Sequence, residues 1–273
     1  MESFYLDRPL NFAHRGASHE APENTLAAFL LAAELGADGI ELDVQLSKDG
    51  QVVVIHDFVL ETTTDGQGAV QDRTLAELKE LDAGSSFDPL FAGQRIPTLQ
   101  EVIHSVGRHL LLNIELKTKS TRDARLARAV ARIVEENHLL DRVVVSSFNP
   151  LALRQLRKLN PWIPLGLLYA PDMPRHLRRP WLRRLFRPEA LHPHHSMVDA
   201  EYVSWAKAQN YRIHTWTVDD PGEMWQLMRQ GVDIMITNRP DLLRQVLAPG
   251  SGEPQSPASR LLSASRSTGT QDV

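Results

Sequence analysis

Ile40-Glu41-Leu42-Asp43-Val44-Gln45-Leu46 alternates without a break. In an extended strand Ile40, Leu42, Val44 and Leu46 share one face and Glu41, Asp43 and Gln45 the other, because side chains reverse direction at every residue. Leu112-Asn113-Ile114-Glu115-Leu116-Lys117 repeats the design, with Asn113, Glu115 and Lys117 on the polar side. The apolar faces suit packing against outer helices. The polar faces then point into a barrel. Three converging carboxylates repel and must be protonated, paired with cations or bound to a metal. The all-oxygen set Glu41, Asp43 and Glu115 favours a hard divalent ion, Mg²⁺ or Ca²⁺. Exposed charge on two edge strands is the competing reading, and the recurrence of the pattern weighs against it.

Strand-like and helix-like segments alternate along the rest of the chain, which favours a parallel sheet in an α/β fold. Strands are predicted near 11–14, 39–46, 110–117, 143–148, 164–169, 194–198, 211–218 and 233–237. Leu26, Phe29, Leu30 and Ala33 form a helical stripe that Gly36 ends. Leu126, Val130, Ile133 and Val134 form another, opened by Ser120 with Asp123 three residues on. Eight strands with intervening helices predict a (β/α)₈ TIM barrel over residues 8–247. A doubly wound sheet is the rival, but no Gly-rich dinucleotide turn follows any strand. An extra extended run at 51–57 leads into residues 58–97, a small insertion after strand two expected over the barrel mouth. Residues 248–273 are rich in Pro, Gly, Ser and Thr and have the composition of a disordered tail.

Two more stretches carry ionisable groups out of apolar runs. Phe12-Ala13-His14-Arg15-Gly16 ends its strand on a histidine, and Val52-Val53-Val54-Ile55-His56-Asp57 does the same. Burying such groups is costly unless they pair or hold a metal. Imidazoles titrate near neutrality, so His14 and His56 can serve as acid and base. Arg15 and Lys117 can neutralise a phosphate or carboxylate. Together these groups describe a site for an anionic substrate and a cation. Trp216 shares a face with His214 and is a candidate pocket wall. His192, His194 and His195 form a local cluster. A surface or loop patch is the stronger reading there, a zinc site the weaker.

The chain has 273 residues, 42% hydrophobic, with 30 Lys and Arg against 34 Asp and Glu for a net charge of −4. That balance argues against bulk nucleic-acid binding. The absence of cysteine excludes disulfides, thiolate metal sites and cysteine nucleophiles. No apolar run approaches the roughly 20 residues that span a bilayer. Met1–Asp7 has neither the basic nor the apolar region of a signal peptide, so a cytoplasmic location is the expectation. Arg175–Arg187 mixes six arginines with Trp181, Leu182, Leu185 and Phe186. It is expected to be a barrel helix with a solvated basic face and an apolar face on the sheet. A segment lying on an anionic membrane is the less favoured reading.

In order and spacing, His14-Arg15-Gly16, Pro22-Glu23-Asn24-Thr25, Glu41-Leu42-Asp43, His56-Asp57, Glu115-Leu116-Lys117, Trp216-Thr217-Val218 and Thr237-Asn238-Arg239-Pro240 together resemble the glycerophosphodiester phosphodiesterase family across residues 10–245. The resemblance implies a TIM barrel with an inserted subdomain near 58–97. It implies that Glu41, Asp43 and Glu115 bind the metal, that Arg15 and Lys117 hold the phosphate, and that His14 and His56 are acid and base. The expected activity is metal-dependent hydrolysis of a small glycerophosphodiester to glycerol 3-phosphate and an alcohol. Lysophospholipase D or another lipid-directed phosphodiesterase activity is the alternative. A catalytically inactive binding module is a poorer fit, because every role has a candidate residue.

Overall fold

The computed structural model describes residues 4–119, 123–250 and 252. Among them are nine strands: β1 (Leu10–His14), β2 (Gly39–Leu46), β3 (Val52–Val54), β4 (Leu111–Leu116), β5 (Val143–Ser147), β6 (Leu165–Tyr169), β7 (Ala190–Pro193), β8 (Arg212–Thr215) and β9 (Ile234–Thr237). All but β3 run parallel, in the order β1-β2-β4-β5-β6-β7-β8-β9, and the β9–β1 pairing closes the ring. The result is the predicted eight-stranded barrel. β3 lies antiparallel on the far end of β2, with Val54 opposite Val44.

The helices α1 (Leu26–Glu34), α3 (Leu99–Val106), α4 (Arg125–Glu136), α5 (Pro150–Leu159), α6 (Ala200–Ala208), α7 (Pro221–Gln230) and α8 (Pro240–Val246) follow barrel strands. Ile40, Leu42, Val44, Leu112, Ile114 and Leu116 face them and join one buried cluster with Leu99, Val102, Leu126 and Val130. The inward positions divide into two levels. Leu10, Phe12, Val144, Ile234 and Ile236, with Phe4 beneath them, form an apolar floor. The carboxylates and His14 lie above it, toward the C-terminal ends of the strands, where TIM barrels carry their sites.

Residues 58–97 hold the short α2 (Leu75–Lys79) and three 3₁₀ turns. They close on a small cluster of their own, in which Leu60, Val70, Leu78 and Ile96 pack with Val53 and Ile55 of the preceding run. Thr74 and Glu77 form a reciprocal capping box at the start of α2.

Four expectations need correction. The sixth barrel strand is Ala190–Pro193, not 194–198, where His195–Met197 is a 3₁₀ turn. Its His192 is inward and fully buried, a position where a histidine breaks the apolar pattern that marks a strand. α1 buries Ala28, Phe29 and Ala32, while Leu30 is 48% exposed, so the packed stripe runs through small residues. α4 starts at Arg125, whose amide donates to Asp123 at 2.9 Å, and Ser120 lies outside the described residues. Finally, 175–187 is no barrel helix. It holds only a 3₁₀ turn over Trp181–Leu185, with Trp181 67% exposed. The tail expected at 248–273 lies, beyond its first residues, outside the described ones. No helix among the described residues is long and apolar enough to cross a membrane.

Candidate active site

Strand register builds the site. His14 is the neighbour of Glu41, Glu41 of Asn113, Asp43 of Glu115, and Glu115 of Ser146. Side chains on neighbouring strands at one level stand close enough to interact. Glu41, Asp43 and Glu115 accordingly turn oxygens to within 4.8 Å of one another, and all three are buried.

The chain after β1 folds back sharply. Arg15 has φ +54° and Gly16 φ +86°, and a Cβ on Gly16 would meet Ala28 at 2.6 Å. This turn aims the Arg15 amide at Glu41 Oε2 (3.2 Å). The guanidinium meets Glu23 at 2.9 and 3.0 Å through Nη1 and places Nε 3.4 Å from Asp43. Asn24, also left-handed at φ +57°, donates its side-chain amide to Asp43 at 3.0 Å and receives the Asp43 backbone N–H at 3.3 Å. Strained backbone held by several contacts at once is common where side chains must be aimed. From the other side Lys117 Nζ lies 3.2 Å from Glu115 and 3.8 Å from Asp43.

Two cations thus face three carboxylates. Burial opposes ionisation of Asp43, but Arg15 and Lys117 outweigh it and hold its carboxyl below the usual range. Burial, reinforced by the Asp43 charge, pushes Glu115 up to about 7. It also pushes Glu41 well above the carboxylate range, with Asp43 and Glu115 adding to the effect. This uncompensated negative charge and the all-oxygen donor set fit a hard divalent cation held by the three carboxylates.

His14 Nδ1 lies 2.7 Å from Asn238 Oδ1, which leaves Nε2 free, 3.9 Å from Glu41. Burial, then the neighbouring Arg15, lowers the His14 imidazole to about 4, so it is neutral at rest. His56 Nδ1 lies 3.0 Å from Asp57, and burial lowers this imidazole too. Gln45 holds the His56 loop through its side-chain NH₂, which reaches the carbonyls of Ile55, His56 and Asp57 at 3.0, 3.1 and 2.7 Å. His14, Arg15, Glu41, His56, Glu115 and Trp216 line one cavity of about 140 Å³. Trp216, predicted within a strand, lies just past β8 and donates its indole N–H to the His192 carbonyl at 2.9 Å.

The predicted site residues therefore meet around one space. His192, His194 and His195 do not. His192 turns inward against His214, with ring centroids 4.4 Å apart, while His194 stacks on His195, which pairs with Glu223. Among the described residues only the three-carboxylate group presents metal-ligand geometry. Sequence reasoning missed the supporting residues Asn238 and Asp219. Asp219 accepts from the Asn238 backbone and side-chain amides at 2.8 and 2.7 Å. Asn238 lay within a quoted motif, but only the fold brings it to His14.

Buried carboxylates in excess, cations turned in beside them and neutral imidazoles on the same cavity suit an ester that brings one negative charge and gains more as it reacts. Such a site on this barrel defines a phosphoric diester hydrolase. The sequence profile of the glycerophosphoryl diester phosphodiesterase family matches residues 14–242, and the chain belongs to that family. It is 44% identical over 246 residues to a glycerophosphodiester phosphodiesterase of Caldanaerobacter subterraneus subsp. tengcongensis, covering 89% of this chain and 99% of that one. A solved phosphodiesterase of Oleispira antarctica, in complex with the product sn-glycerol-3-phosphate, superposes with a TM-score of 0.81 at 35% identity, over 88% of this chain and 96% of the other. The glycerophosphodiester phosphodiesterase of Thermotoga maritima gives 0.70 at 29% identity, over 88% and 100%.

Proposed function

We propose that the chain hydrolyses glycerophosphodiesters to sn-glycerol 3-phosphate and an alcohol, with residues 8–247 as the catalytic domain and 58–97 as its insertion. The observation that carries this reading is the single cavity shared by His14, His56, Arg15 and two members of the carboxylate cluster, Glu41 and Glu115. A relative solved with sn-glycerol-3-phosphate supports the substrate class.

A divalent cation held by Glu41, Asp43 and Glu115 would supply positive charge where negative charge develops on the phosphoryl group. Arg15 and Lys117 hold the phosphate. The Glu23 and Asp43 contacts fix the Arg15 guanidinium, so no side-chain entropy is lost when substrate arrives. His14, neutral and oriented by Asn238, accepts a proton at Nε2 from the attacking oxygen. His56, neutral at rest, takes up a proton when the anionic substrate arrives, favoured by the Asp43 and Asp57 carboxylates, and in that protonated form donates it to the departing alkoxide, which is too basic to leave well unprotonated. Trp216 and Phe148, with rings 5.3 Å apart, wall the cavity.

The test is release of sn-glycerol 3-phosphate from glycerophosphocholine by chelator-treated protein resupplied with Mg²⁺ or Ca²⁺ in turn. Turnover with at least one ion is expected. No turnover with either, on this and other short glycerophosphodiesters, would refute the reading.

A further inference from the structure

Arg175–Arg187 does not hide the apolar face expected of it. Trp181 is 67% and Leu185 48% exposed, with Arg175, Arg178, Arg179, Arg184 and Arg187 exposed around them. A chain of net charge −4 gathers six arginines here, with no carboxylate from Met173 to Pro188. The next acid, Glu189, is taken by Arg157 at 2.6 Å. Among the described residues none of the six arginines forms an ion pair.

The segment is nevertheless held in place. Phe186 is buried, and Arg157 donates to the Phe186 and Arg187 carbonyls at 3.1 and 3.2 Å. The Arg183 guanidinium stands over the Trp205 and Tyr211 rings. The exposed groups are therefore already arranged, and a partner that binds them has little chain to order. Beside them opens a hollow of about 840 Å³ lined by Arg179, Arg183, Arg184, Trp181 and Trp205. Its three guanidiniums outnumber the carboxylates of Asp199 and Glu201, which also line it.

We propose that this segment docks the protein on a bilayer rich in anionic phospholipid. Trp181 and Leu185 enter the interface, where an indole keeps its N–H in the wet layer while its rings leave water. The arginines meet lipid phosphates, which their planar forks can hold through two hydrogen bonds at once, and the hollow has room for a headgroup. A nucleic acid would also meet arginines and could stack on Trp181, but it makes no use of an exposed leucine. Apolar side chains set among basic ones suit a lipid interface better. The segment follows β6, so it stands at the C-terminal end of the barrel. Its Leu177 and Leu182 line one hollow with Glu115 and Lys117, and docking therefore keeps the mouth beside the membrane. Docking sets where the reaction takes place and leaves the substrate unchanged.

The experiment is co-sedimentation of the full chain with vesicles of phosphatidylcholine alone or with about a third phosphatidylglycerol. Binding is expected to the anionic vesicles only, and to weaken as salt rises from roughly 0.05 to 0.5 M. Each arginine near the surface should contribute about fivefold, so Arg175→Gln with Arg179→Gln and Arg184→Gln should weaken binding about a hundredfold. Trp181→Ala should weaken it about tenfold. Both proteins should keep the native Tm and native turnover of glycerophosphocholine. The matching triple change to lysine keeps the charge and should bind within a few-fold of native. No binding to anionic vesicles at low salt overturns the proposal, as does equal binding to phosphatidylcholine alone or unchanged binding in both altered proteins. Loss of binding in the lysine protein as well would overturn its electrostatic basis. Tighter binding to a short DNA duplex than to the vesicles, indifferent to Trp181→Ala, would assign the segment to nucleic acid instead.

Discussion

Asn238 and His14 stand 224 positions apart in the chain and 2.7 Å apart in the molecule. The Asn238 amide cannot flip, because Asp219 accepts from its NH₂ group and from its backbone N–H, and Ser18 donates to the same oxygen that faces His14. The oxygen is therefore presented to Nδ1, and the imidazole keeps its proton there.

Loss of that orientation should cost turnover rather than binding. Asn238→Ala is expected to lower kcat by about 10²-fold, within the range a positioned base contributes. KM should change little, and Asp219→Asn should give a smaller loss. Steady-state kinetics on a short glycerophosphodiester tests this, and a purely KM effect would contradict it.

His14→Ala and His56→Ala should each lower turnover about 10²–10⁴-fold while remaining folded. Both residues lie at the mouth and outside the apolar clusters. Near-native turnover in either would assign that histidine a structural role only.

Chelation should abolish turnover and lower Tm, since an ion that binds only the folded chain stabilises it. The effect is about 2.7 kcal/mol at a hundredfold excess over Kd. Glu41→Gln with Glu115→Gln removes most of the repulsion. It should be inactive, yet its Tm should not respond to chelator. An unchanged Tm in the native protein on exhaustive chelation would count against the metal assignment.

Stability should fall on acidification because of His192 and His214. Burial holds the His192 imidazole down at about 3, and burial, then His192 and Arg212, holds His214 well below its ordinary value. Both are neutral in the folded chain, and Tyr5 bonds His214 at 2.9 Å. The unfolded chain takes up protons below pH of about 6.5. It therefore binds more protons than the folded one, so stability drops as pH falls from about 6.5 toward 3. Thermal melts across that window should show the drop, with a shallower slope in His192→Leu. Equal slopes would exclude the pair as the cause.

Gly166→Ala should destabilise the barrel by about 1–3 kcal/mol, as overpacking does. A Cβ there would stand 2.2 Å from His192 Nε2. His192→Ala in the same protein should recover part of the loss. Urea denaturation of the single and double variants measures both.

The barrel and the clustering of the three carboxylates were legible because they rest on local alternation. Glu41 and Asp43 announce an inward face within seven residues, and Glu115 repeats it. β7 was not legible. Its inward residues are Ala190 and His192, where the barrel needs a small side chain and then a ring fitted against Gly166, and neither looks like a strand. The segment 175–187 misled for a different reason. Trp181, Leu182 and Leu185 fall on one face at helical spacing, but Pro180 cuts the run, and Arg183 contacts Trp205 and Tyr211 at 5.3 and 5.9 Å. The support that Asp219 gives to His14 through Asn238 could not be read at all, because a side-chain pair 224 positions apart in the chain leaves no local pattern.

The apolar floor made by Phe4, Leu10, Phe12, Val144, Ile234 and Ile236 gives the barrel one door. Whatever enters at the mouth must depart there, and of the two products only glycerol 3-phosphate carries the charge that Arg15 and Lys117 would hold back. Release is then ordered, alcohol first. Glycerol 3-phosphate, last to go and alone with the free site, should act as a competitive inhibitor, while the alcohol should inhibit noncompetitively.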